Sequence, residues 1–179
     1  MDESDLIHDW NEAGFATRPA SDRVLQLDDE TLRDGLQNPS VVDPCTDDKI
    51  RLLHLMDDLG IHTADVGLPG AGRRARGQVE LLVAEVRDAG LSIRPNCAAR
   101  TVIADIEPIA DVQQSTGVPV EVYAFIGSSP IRQYAEGWSL DDILGHVSEA
   151  VSFAVGEGLA VAMVTEDTTR AHPEHLHAI

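Results

Sequence analysis

Residues 24–38 read VLQLDDETLRDGLQN, an apolar run that breaks abruptly into a charged, glycine-containing segment. Such a stretch is a β-strand that delivers polar side chains at its C-terminal end. Working outward, the same arrangement repeats. Strand-like runs HTADVGL, LSIRPNCA, PVEVYAFIG and LAVAMVTED follow, spaced roughly thirty to forty residues apart, the length of one strand plus one helix. Between them lie amphipathic stretches. Val79, Leu82, Val83 and Val86 mark one helical face, and Ile143, Leu144, Val147, Val151 and Ala154 mark another. Alternating β and α requires a parallel sheet covered by its crossover helices. Periodicity alone allows either an open doubly wound sheet or a closed barrel. The polar residues separate the two. Asp28 and Asp29, Asp65, Asn96, Ser128 and Ser129, and Glu166 and Asp167 stand at the C-terminal ends of successive strands, which converge on one face only in a barrel. The expected fold is therefore α/β, a (β/α)8 TIM barrel of which about the first five β/α units are present.

End signals agree with this division. Thr46 precedes Asp47 and Asp48, Ser139 has Asp142 three residues on, and Gly60 and Gly90 stand just past two helical C-termini. Residues 1–22 are polar and weakly patterned and read as an N-terminal arm. Residues 23–179 read as one partial barrel domain that stops before a sixth strand. The 179 residues carry 13 Lys and Arg against 31 Asp and Glu, a formal charge of -18. That balance repels nucleic acid and anionic membranes. Cys45 and Cys97 form neither a pairing pattern nor a zinc spacing. With no apolar span or leader, the expected location is the cytoplasm.

Composition alone reads Asp28 to Asn38 as a solvated, capped loop with an Arg33-Asp34 neighbour pair as readily as a site. The segment DETLRDGLQN, however, closely resembles the end of the first strand in the DRE-TIM metallolyases. That family includes 2-isopropylmalate, homocitrate and citramalate synthases and 3-hydroxy-3-methylglutaryl-CoA lyase. The resemblance implies that Arg33 contacts the keto oxygen of a substrate, that Asp34 ligates a divalent metal (Mg2+, Mn2+ or Zn2+), and that Gln37 touches substrate. The pairing is chemically sensible. Adding an acetyl enolate to a 2-oxo acid builds negative charge on the former keto oxygen, which a hard cation and a fixed guanidinium both stabilise.

Four further segments carry the resemblance. Ala64-Asp65-Val66-Gly67-Leu68-Pro69-Gly70 is similar to the synthases' second strand, with Asp65 where they carry Glu. Asp65 is equally readable as a strand-end carboxylate satisfying a loop. Cys97-Ala98-Ala99-Arg100 resembles a third strand that ends in an arginine near substrate, and Arg100 also suits a surface ion pair. The run from Val122 through Ser129 to Ile131, followed by Trp138 to Leu144, is synthase-like, with Arg132 where the family usually has His. Thr165-Glu166-Asp167-Thr168-Thr169-Arg170 resembles the end of strand five, whose glutamate assists proton transfer; Asp167 and Thr169 also read as helix caps. The implied site is thus Arg33 and Glu166 as catalytic groups, Gln37, Asp65, Arg100, Ser129 and Thr169 around the substrate, and Asp34 on the metal. His175-Leu176-His177 has the spacing of the family's metal-binding pair, but it follows Pro173 at a helix start, where residues two apart point away from each other. We read these histidines, with His172, as surface groups.

The resemblance implies an acyltransferase of 2-isopropylmalate synthase type (EC 2.3.3) that condenses acetyl-CoA with a 2-oxo acid in leucine biosynthesis. It puts 2-oxoisovalerate first among acceptors and expects a homodimer for the full-length relatives' architecture. The alternatives are a lyase of the 3-hydroxy-3-methylglutaryl-CoA type, which shares Arg33 to Asn38, and a non-catalytic half-barrel.

Overall fold

The structure, a computed structural model, describes residues 25–179. The arm expected at residues 1–22 lies outside the described residues. Strands β1 (Asp28–Asp29), β2 (Thr63–Asp65), β3 (Arg94–Arg100), β4 (Glu121–Gly127) and β5 (Ala160–Glu166) alternate with helices α1 (Thr46–Asp58), α2 (Arg73–Asp88), α3 (Ile103–Thr116), α4 (Pro130–Glu136) and α5 (Leu140–Gly156). A last helix, α6 (Pro173–Ala178), follows β5. All strand pairs are parallel, and their spatial order is their sequence order, β1-β2-β3-β4-β5.

That order decides between the two architectures left open by periodicity. A doubly wound sheet reverses its strand order at a switch point so that helices cover both faces. Here right-handed crossovers in unbroken sequence place the helices on one face. The buried side chains agree. Ala64, Val66, Cys97, Ala99, Val122 and Ala124 pack against Leu53, Met56, Val79, Leu82, Val83, Val86, Ile106, Ile109 and Ala150 in one continuous core. The intervening strand positions, including Thr63, Asp65, Asn96, Tyr123 and Phe125, turn to the other face. This is a five-stranded half-barrel with a polar concave side.

The local chemistry of the ends is as read in three of four places. Ser139 and Asp142 form a reciprocal capping box at the start of α5. Gly60 and Gly90 adopt positive φ, 79° and 66°, just beyond α1 and α2. Thr46 is not a cap: Cys45 occupies the cap position of α1, and its thiol lies 3.2 Å from the Asp48 carboxylate. The first strand is also shorter than VLQLDD suggests. Only Asp28 and Asp29 pair with β2, while Leu25 and Leu27 are exposed, because among the described residues this strand has a neighbour on one side alone. Helix α3 was not marked by any amphipathic stripe. It carries Pro108 in its interior and buries residues around several sides, from Asp105 and Ile106 to Val112 and Thr116.

Strand β5 has one described neighbour as well, and its residues from Val161 to Thr165 are only half-buried. The open edge of a strand of this composition is a template for further pairing. A preparation of these 179 residues by themselves is expected to self-associate, despite its charge. Light scattering after size exclusion checks this, and a monomer with a single cooperative unfolding transition would contradict it.

Candidate active site

Just beyond β1 the chain turns back on itself, with the amides of Arg33 and Gly35 donating to the Glu30 carbonyl. This tight turn buries Leu32 in the core and throws Arg33 over the concave face. Three carboxylates then hold the guanidinium. Nε donates to Asp65 Oδ2 at 2.9 Å, Nη1 to Asp34 Oδ1 at 3.1 Å, and Nη2 to Glu30. A planar fork fixed at three corners cannot rotate, so Arg33 is a preorganised cation. Asp65, at the end of β2, is fully buried and also accepts from the Gly67 amide at 3.0 Å. Burial dominates its titration and pushes its carboxyl up to about 6, against the opposing pull of Arg33 and Gly67. Asp65 thus supports Arg33 from behind and does not line the cavity in front of it.

That cavity, about 420 Å³, is lined by Glu30, Arg33, Asp34, Gln37, Phe125, Val164 and Glu166. Four residues named from the sequence, Arg33, Asp34, Gln37 and Glu166, therefore meet around one space. They come from the two opposite edges of the sheet. In a flat sheet, strands one and five would stand roughly 19 Å apart at about 4.8 Å per strand, so only the curl of the half-barrel brings them to a shared cavity. Glu166 is anchored through its own backbone: Ser128 donates to the Glu166 carbonyl from both its amide and, at 3.1 Å, its hydroxyl. Asp167 follows in the left-handed region, φ 55°, which a short Asp side chain tolerates.

The remaining sequence candidates lie elsewhere. Ser129 is fully buried, caps α4 and donates to Asp167 Oδ2 at 2.7 Å, so it secures the turn after β5 and does not face the cavity. Thr169 sits exposed in the short 3-10 turn Thr168–Arg170, outside the cavity lining. Arg100 is clamped by Asp105 through two bonds of 2.7 and 2.8 Å and lines a neighbouring pocket of about 330 Å³. This second pocket shares Phe125 and Glu166 with the first. His175 differs from the surface reading: it is half-buried, with Nδ1 3.1 Å from the Gln133 amide nitrogen and its ring 5.5 Å from that of His172. Glu30 and Asp105 were not singled out from the sequence. Glu30 was legible, since it stands three residues before Arg33 in a turn. Asp105 was not, because its partnership with Arg100 depends on how α3 leaves β3.

A divalent cation needs several oxygen or nitrogen ligands. The described residues put at the cavity Asp34, whose side chain is 65% exposed, Glu166, and Glu30, whose carboxylate is already engaged by Arg33. They contain no group of three or more His, Cys, Asp or Glu side chains placed to hold an ion. Asp34 can be one ligand of such a site, but these residues do not complete it. Divalent metals should accordingly bind the 179-residue chain weakly, and less still after Asp34→Asn. Calorimetric titration with Mn2+ tests this. Submicromolar affinity abolished by His175→Ala would mean that the histidines after β5 form the site.

Comparison with known proteins bears on this arrangement. The HMGL-like family model matches residues 24–179. A homocitrate synthase of Methanopyrus kandleri is 30% identical over 152 residues, covering 84% of this chain and 36% of that protein. A 2-isopropylmalate synthase of Sulfolobus acidocaldarius is 28% identical over 86% of this chain and 38% of its own length. A second 2-isopropylmalate synthase, from Caldanaerobacter subterraneus subsp. tengcongensis, is 32% identical over 83% and 36%. The chain spans a little over a third of the length of these relatives.

Proposed function

From the premise that the chain belongs to the HMGL-like family, we propose that it is part of an acyltransferase that condenses acetyl-CoA with a 2-oxo acid. The observation that carries this reading is the convergence of Arg33 and Glu166 on one cavity. A guanidinium locked in place faces a carboxylate supplied from the far edge of the sheet. In the proposed reaction Glu166 accepts a proton from the acetyl methyl group, whose carbon then bonds to the keto carbon of the acceptor. The carbonyl electron pair moves to the keto oxygen, where Arg33 meets the developing charge. Protonation of that oxygen and attack of water on the thioester release the hydroxy acid and free CoA thiol. Gln37 orients the acceptor by hydrogen bonding. The divalent metal implied by the sequence resemblance, with Asp34 among its ligands, would add Lewis-acid polarisation of the acceptor.

The finer reading from sequence, 2-oxoisovalerate as acceptor for leucine synthesis, remains one member of the class to be tested. We likewise propose a cytoplasmic homodimer. No described helix is long and apolar enough to cross a membrane, and the charge of -18 disfavours anionic membrane surfaces. Incubating the protein with acetyl-CoA, Mg2+ or Mn2+ and a panel of 2-oxo acids, while following free thiol, tests the reaction. Acceptor-dependent thiol release is expected. Cleavage of 3-hydroxy-3-methylglutaryl-CoA instead would replace the synthase reading by a lyase, and loss of both activities in every preparation would leave a non-catalytic half-barrel.

A further inference from the structure

Glu166 stands where its strand stops being held by the sheet. Gly127 and Glu166 are the last register pair between β4 and β5, and Asp167 turns at once into the left-handed region, φ 55°. Beyond that pair the Glu166 peptide is held by Ser128, whose amide and hydroxyl donate to its carbonyl at 3.4 and 3.1 Å. The position of Ser128 therefore sets the backbone from which the Glu166 side chain reaches the cavity.

Ser128 is fully buried, and its own carbonyl accepts from Gln133 Nε2 at 3.2 Å. The same nitrogen lies 3.1 Å from His175 Nδ1. A carbonyl only accepts and an amide nitrogen only donates, so Gln133 directs one N–H to Ser128 and the other to His175. His175 thus accepts through Nδ1 and carries its ring proton on Nε2. Both ends of this bridge are fixed. The Gln133 backbone amide donates to the Ser129 carbonyl at 3.0 Å, and its carbonyl accepts from the Trp138 amide at 2.9 Å. At the end of α6, Ile179 packs on the cluster of Ile126, Ile143 and Val147. Gln133 and His175 line neither the reaction cavity nor the pocket beside it, so their route to the chemistry runs through Ser128.

We propose that Gln133 and His175 are positioning residues: anchored on α6, they hold Ser128, and through it Glu166, at the reaction cavity. This rests on the reading of Glu166 as the proton acceptor and adds the support that keeps its carboxylate within reach of the acetyl methyl group. Removing either residue leaves a polar partner unpaired, the Ser128 carbonyl or the second Gln133 N–H, and lets the turn carrying Glu166 relax.

The test combines amide hydrogen exchange, read by mass spectrometry, with steady-state thiol release, both in the length of chain that turns over acetyl-CoA. Gln133→Leu and His175→Leu should each speed exchange over residues 126–130 and 164–171 by about fivefold, the weight of one hydrogen bond. Each should also lower kcat about ten- to a hundredfold with KM unchanged, as displacement of a reacting group does. His175→Asn, whose amide oxygen can accept where Nδ1 does, should restore both readouts, whereas a role in helix packing alone would not separate His175→Asn from His175→Leu. Circular dichroism confirms that each variant is folded. Unchanged exchange in Gln133→Leu, a rise in KM with kcat unchanged, or a His175→Asn variant as impaired as His175→Leu overturns the proposal. Failure of the two readings is distinguishable. Faster exchange rescued by His175→Asn, with no thiol release from any 2-oxo acid in the wild type, refutes the condensation and leaves the support of Glu166 standing. Thiol release with exchange and kcat unaffected by the substitutions refutes the support alone.

Discussion

Replacing Asp65 by Ala should destabilise the fold by about 3 kcal/mol, the lower end of what breaking a buried ion pair costs. The lower end applies because Arg33 would keep Glu30 and Asp34 and its side chain is 20% exposed. Urea unfolding monitored by circular dichroism reads the effect, and a loss under 1 kcal/mol would show that Asp65 is not the support of the guanidinium. The same residue makes a pH-dependent contribution whose sign is fixed by its raised carboxyl. Burial pushes Asp65 up to about 6 in the folded chain, against about 3.9 when unfolded. Between those values the folded state holds the extra proton, so this group stabilises progressively as pH falls through about 6 toward 4 and the gain disappears as pH rises again. Wild type relative to Asp65→Asn should therefore gain stability over that interval. A difference that is flat, or grows toward neutral pH, would show that the Arg33 pairing outweighs burial.

The second large effect is expected at Arg33 itself. In the length of chain that turns over acetyl-CoA, Arg33→Ala should lower kcat by about a hundred- to a thousand-fold, the range for removing one preorganised donor from a developing oxyanion. The reason is geometric. With its three carboxylate contacts, the guanidinium reorganises little when the keto oxygen acquires charge, so its contribution is concentrated in the transition state. Steady-state kinetics distinguish this from simple substrate holding, because a rise in KM with kcat unchanged would assign Arg33 to binding alone. Arg33→Lys should recover little, since an ammonium cannot hold Glu30, Asp34 and Asp65 at once.

Much of this molecule is legible in its sequence because the deciding signals are local. The apolar runs ending in polar residues follow from strand geometry, the stripe Val79, Leu82, Val83 and Val86 is buried as helical periodicity requires, and the Ser139 and Asp142 capping box needs only four consecutive residues. Arg33, Asp34 and Gln37 likewise belong to one short loop. What the tertiary structure alone decided are the relations between edges and layers. The uninterrupted strand order bears out the half-barrel that the strand-end polar residues indicated where periodicity was silent, but which strands form its open edges is visible only in the pairing. Glu166 meets Arg33 only because the sheet curls. Ser129 turns inward to Asp167, Arg100 is taken by Asp105 and Arg132 lies over Gly127. Each of those outcomes depends on how a helix leaves its strand, a direction set by packing against the core, and residue type and spacing carry no record of it.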